Sequence, residues 1–199
     1  MMPKIEFRYS GVYDDSYRNR TKINELLKER GKTYPSVKKI RLYIERVRKL
    51  WQKRERKVLE KISELSGLKW KEQNIRCYVI GFGRPFSDPL TLRLYEHKED
   101  FMDTLTHELI HQMQIQNHER TKKWFDYVKK EYANESKLTK SHIFLHALHT
   151  EIYLQLLNRT RLEKNIKEDK NYPDYNSSWE IVQKEGHQEI IKEFKKRTR

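Results

Sequence analysis

His107 and His111 stand four residues apart in DTLTHELIHQMQIQ, and Glu108 lies beside the first. On a helix, residues i and i+4 share a face, so both imidazoles can bind one metal ion. Glu108 is one residue on, where it can reach a polarised water without joining the coordination shell. Zinc suits this set. It takes histidine nitrogens, lowers the pKa of water and polarises a carbonyl, while the glutamate accepts the proton. This is the hydrolytic chemistry attached to the H-E-x-x-H pattern.

A catalytic zinc site needs three protein ligands and an open position. SHIFLHALHTEIYLQLL, residues 141–157, offers His142, His146 and His149 at i, i+4, i+7 on one helical face, with Tyr153 continuing the stripe. His146 is central and deepest in the apolar run, and it is the expected third ligand. His142 and His149 remain alternatives for that role, or for orienting a ligand or stabilising an oxyanion. His118 could serve if the first helix ends near Asn117 and the chain turns back. Glu151 would complete a His-His-Glu set, but it points to nearly the opposite side of its helix. Against this stands the plainer possibility of two incidental histidines on a surface helix. Apolar flanks at Phe101, Leu105, Leu109 and Ile110 argue for a buried helix instead.

These residues need elements to hold them. Ser36 to Ser66 reads as one long helix, started by Pro35-Ser36 and stopped by Gly67. IRCYVIGFG (75–83) and LTLRLY (90–95) read as strands, expected to pair antiparallel across the loop RPFSDP. An exposed strand beside the histidine helix could bind extended substrate by strand addition. Further helices are expected over 99–116, 120–134, 138–158 and 179–196, with NYPDYNSS (171–178) as a loop. Residues 1–35 read as an N-terminal arm, extended over the first twenty, and 36–199 as one domain. The expected fold is α+β, mainly helical, with a small antiparallel sheet.

THELIHQ followed by SHIFLHALHTEIY resembles the zincin metallopeptidases. The likeness is to small intracellular forms, including metallopeptidases of phages and archaea and the SprT-like proteases, and it covers residues 90–157. The resemblance implies zinc, hydrolysis of a peptide bond in a protein or peptide substrate, and a shallow cleft beside a substrate-binding strand. By match, His107 and His111 would be ligands and Glu108 the base. Gln114 and Asn117 stand where metzincins place glycine and a third histidine, which excludes that clan. His118-Glu119 with Trp124-Phe125 is a distorted echo of the SprT-like third-ligand region, and the cysteine-rich ribbon of that family is absent. A gluzincin-like arrangement, with the third ligand on a separate downstream helix, fits the spacing better, with histidine replacing the usual glutamate.

The composition bounds the remaining options. The formal charge is +14 over 199 residues, which favours polyanionic partners. RVRKLWQKRERK (46–57) and KEFKKRTR (192–199) are the densest basic stretches. Trp51, Trp70 and Trp124 amid such cations could stack on the bases of a single strand. The alternative function is therefore a basic nucleic-acid-binding protein with structural zinc or none. Glu108 discriminates, because a structural site has no use for an ionisable base beside its ligand. Cys77 is the only cysteine, which excludes an internal disulfide and a cysteine-based zinc ribbon. The first residues lack the apolar core of a signal peptide, and no stretch is apolar for long enough to span a bilayer. The expectation is a cytoplasmic protein without membrane contact.

Overall fold

A computed structural model describes residues 2–199. Among the described residues four strands and ten helices form, so the mainly helical α+β class holds. The chain divides into two compact units. One comprises residues up to Arg56 with Glu72–Gln112, and the other Lys57–Lys71 with Met113–Arg199.

The first unit is built on a mixed sheet of order β1-β2-β4-β3. Strand β1 (Lys4–Tyr9) buries Ile5 and Phe7 and exposes Lys4 and Arg8, the alternation of a one-sided strand. It pairs in parallel with β2 (Asn74–Ile80), with Ile5 opposite Ile75 and Phe7 opposite Cys77. The expected extended arm is thus an integral strand, followed by α1 (Gly11–Arg18) and α2 (Thr21–Glu29). Helix α3 (Val37–Gln52) starts at Ser36, whose hydroxyl accepts the Lys39 N–H, and packs on β1 and β2. Its apolar face of Ile40, Ile44, Val47 and Trp51 is buried.

The expected single helix over 36–66 is two, because α4 (Glu55–Ser66) starts afresh after Lys53-Arg54. The reason is Glu55. Its carboxylate accepts both the Trp51 indole N–H and the Ile5 backbone N–H, each at 2.9 Å. Arg48 donates to the Phe7 carbonyl at 3.2 Å, so side chains cap part of the outer edge of β1. This is one way to blunt an exposed strand edge.

Strand β4 (Leu90–Arg93) lies parallel to β2, not antiparallel as expected. Residues 81–89 first form β3 (Phe86–Ser87), which pairs antiparallel with β4 and occupies the sheet edge. β4 is therefore an interior strand along Leu90 and Thr91, and the sequence's candidate for strand addition is covered there. Parallel neighbours usually need a longer crossover. Gly81 eases this one: a Cβ there would overlap the Tyr34 ring, and its N–H donates to the buried Asp14 carboxylate at 2.8 Å.

The second unit surrounds α7 (Lys137–Leu156), which packs against α6 (His118–Glu131), α8 (Arg159–Asp169), α9 (Pro173–Glu185) and α10 (His187–Arg197). Phe144 of α7 stacks on Phe194 of α10 at 3.4 Å, and Trp124 of α6 meets both rings. A second cluster joins Tyr153, Leu162 and Trp179, with Leu157 and Ile166 packed against it. Most of the stretch expected as a loop, from Pro173 onward, is the first half of α9. Pro173 occupies its first turn and Asp174 complements the dipole, a regular helix start. The expected final helix is broken at Gly186, which holds φ 86°.

Candidate metal centre

Helix α5 (Lys98–Gln116) carries Glu99 and Asp100 in its first turn, favourable for the helix dipole. It buries Phe101, Met102, Leu105, Leu109, Ile110 and Met113. His107 and His111 are only half-buried, and their rings meet edge to face at 5.1 Å. The shared face expected from their spacing is therefore real. Gln112 donates to the Ser87 carbonyl and ties β3 to this helix.

Glu108 is 6% exposed. Burial pushes its carboxyl up to about 7, while the positive charge of Arg84 pulls the other way. The buried Cys77 thiol of β2 is raised well above its ordinary value by burial, and the Glu108 charge adds to this. A carboxyl that titrates near neutrality can both accept and return a proton at physiological pH.

Helix α7 begins at Ser136, which accepts the Thr139 N–H. His142, His146, His149 and Tyr153 are all buried, so the stripe read from i, i+4, i+7 periodicity faces inward along its whole length. His142 Nδ1 lies 2.8 Å from the Leu138 carbonyl. That bond assigns the proton to Nδ1 and leaves Nε2 with a lone pair, the usual way an outer partner prepares a ligand imidazole.

One ring nitrogen from each of His107, His111 and His142 lies within 4.8 Å of the others, close enough for the three to bind one metal ion. The third histidine brought to the pair is His142, not the expected His146. His146 sits one turn further along α7 and is fully buried, with its ring stacked on Trp179 at 4.0 Å and 5°. Its Nε2 is 3.9 Å from Asp169 Oδ2, and the same carboxylate oxygen accepts the Trp179 indole N–H at 2.8 Å. Burial raises the Asp169 carboxyl, Trp179 opposes the shift, and Glu168 adds to it. Depth in the apolar run identified a packed histidine rather than a member of the trio.

The other candidates fall outside the trio. His149 meets Tyr153 edge to face at 4.6 Å. His118 is exposed and paired with Glu119 at 2.6 Å. Glu151 accepts from Gln155 and pairs with His187 at 2.7 Å, on the far face expected for it. Sequence reasoning missed Tyr175, whose ring lies 4.7 Å from His142, together with Trp179 and Asp169. Tyr175 and Trp179 belong to α9, and the overlooked signal was Pro173-Asp174 as a helix start.

No protein-family model, curated protein or solved structure matches this chain significantly. No helix among the described residues is long and apolar enough to cross a membrane.

Proposed function

We propose that this protein is a zinc-dependent metallopeptidase, with His107, His111 and His142 holding the metal and Glu108 as the catalytic base. The observation that carries this reading is the trio of imidazole nitrogens within 4.8 Å of one another, next in sequence to a buried carboxyl near neutrality. The donor set fits zinc: three neutral nitrogens leave one tetrahedral position open, as a catalytic site requires and a structural one does not. When bound, the ion supplies Lewis acidity and lowers the pKa of water.

The chain's own residues do the rest. The Leu138 carbonyl holds the His142 tautomer that presents Nε2. The Glu108 carboxylate takes a proton from the attacking water and delivers it to the departing amine nitrogen, a transfer that a pKa near 7 permits in both directions. Burial of Glu108 disfavours its charged form and sustains that raised pKa.

Zinc content and peptide cleavage together test the reading, on protein purified without a metal-binding tag. Wild type should hold about one zinc per chain, as a three-ligand site implies. His142→Ala should lose it, and His146→Ala should retain it. Glu108→Gln should keep the metal while cleavage falls by about 10²- to 10⁴-fold. Absence of zinc from wild type after supplementation, or a fully active Glu108→Gln enzyme, refutes the proposal.

A further inference from the structure

Among the helices, α3 has a distinct charge pattern. Its sequence VKKIRLYIERVRKLWQ carries Lys38, Lys39, Arg41, Arg46, Arg48 and Lys49 against a single acid, Glu45. In α4, α6, α8 and α10 the cations alternate with glutamate and aspartate. The cations of α3 also lie on one side. Ile40, Ile44, Val47 and Trp51 are buried, while Lys38, Lys39, Arg41, Arg46 and Lys49 are exposed, and Lys53 continues the row past the helix end.

Some of the positive charge in this region is already engaged. Arg48 pairs with Glu45 at 2.6 Å, Arg54 with Glu99 at 2.9 Å, and Arg41 lies 5.6 Å from the Tyr9 ring. Lys38, Lys39, Arg46, Lys49 and Lys53 form no ion pair among the described residues. They span about 22 Å of a straight rod at the helical rise of about 1.5 Å per residue.

We infer that this face of α3 binds the phosphate backbone of a nucleic-acid duplex, without reading its sequence. Five unneutralised cations on a rigid helix match a polymer carrying about one charge per 1.7 Å of axis, whose counterions they would release. A single strand is the poorer fit, because such sites add aromatic platforms for the bases. The tryptophans that could have supplied them are buried: Trp51 is 1%, Trp70 7% and Trp124 1% exposed. A membrane surface is also a poorer fit. An interfacial helix needs a free apolar face, and here that face is packed on the sheet, leaving exposed only Leu42 and, at the first turn, Val37 as large apolar side chains of this helix. This inference stands apart from the metallopeptidase reading and survives its failure.

The test is fluorescence anisotropy with a labelled random-sequence duplex across a salt series, on the full chain with zinc. The variant replaces Lys38, Arg46, Lys49 and Lys53 with glutamine. The control replaces Lys122, Lys123, Lys129 and Lys130 of α6 with glutamine, which removes the same charge from another exposed face. The α3 variant should weaken binding by about tenfold or more and flatten the slope of log K against log salt by roughly 0.9 for each phosphate no longer neutralised. The α6 control should change it much less, and wild type should prefer duplex to single strand. If the fourfold variant is not folded by circular dichroism, Lys38/Lys49→Gln should give about half the slope change. Equal losses in both variants, no loss in the α3 variant, tighter binding to the single strand, or equal affinity for phosphatidylserine vesicles overturns the inference.

Discussion

Replacing Asp14 with asparagine tests how the first unit is held together. Asp14 is fully buried in α1. Its Oδ1 accepts from the Tyr34 hydroxyl at 2.7 Å and from the Gly81 N–H at 2.8 Å. Its Oδ2 accepts from the Tyr9 hydroxyl at 3.0 Å and from Arg18 at 2.5 Å. One carboxylate thereby ties α1 to the end of β1, to Tyr34 and to the turn after β2. Asparagine has nearly the same shape but one donor nitrogen. On the Oδ1 side that nitrogen would face the Gly81 N–H, and on the Oδ2 side it would face Arg18. The tyrosine hydroxyls can rotate to accept, but those two donors cannot, so either orientation leaves one of them unsatisfied. Losing one hydrogen bond to a buried charge and leaving its partner unmet costs about 2–4 kcal/mol. For a chain of this size that lowers the Tm by about 5–15 °C. Urea unfolding as a function of pH adds a second readout. Burial by itself would raise the Asp14 carboxyl, but the bonds from Gly81, Tyr34, Arg18 and Tyr9 outweigh it and hold the pKa below its ordinary value. A depressed pKa stabilises the folded state above the unfolded value, about 3.9. That contribution is lost as pH falls through the folded pKa. The gap between wild type and Asp14→Asn should therefore be constant from neutral pH to about 4 and shrink below it. A variant as stable as wild type at pH 7, or a gap that grows as the pH falls, refutes the reasoning.

Two further outcomes follow from the same structure. Gly81→Ala drives a methyl group into the Tyr34 ring, so the ring or the turn must shift, and urea unfolding should show a loss of about 1–3 kcal/mol. Chelation of zinc from wild type should lower the Tm, because a ligand bound only by the folded state stabilises it by mass action. The same treatment should leave the Tm of His142→Ala unchanged, and scanning calorimetry reads both.

The histidine stripe and the histidine pair were visible in the sequence because helical periodicity is a local property. Spacing alone fixes which residues share a face. The choice between His142 and His146 is of another kind, since both lie on that face and both are buried. What separates them is a tertiary matter: His146 is stacked on Trp179 of α9, a helix whose first half has the composition of a loop. The misreading of that one element carried over into the expectation that His146, not His142, meets the histidine pair of α5. The sheet shows the same logic. The alternation in LTLRLY announced a strand, but its direction depended on residues 81–89 folding back through β3. That path requires Gly81 to sit against Tyr34 and Asp14, which are distant in sequence. The break between α3 and α4 was hidden for a related reason, because the apolar residues on either side keep helical phase. It arises from Glu55 bonding to Ile5, some fifty residues earlier in the chain. The strand direction and the helix break were both missed where a polar or aromatic side chain, invisible to hydrophobic periodicity, serves a partner far along the sequence. The buried carboxylates and aromatic rings of this chain therefore decide which turn of a helix, and which direction of a strand, the local patterns finally adopt.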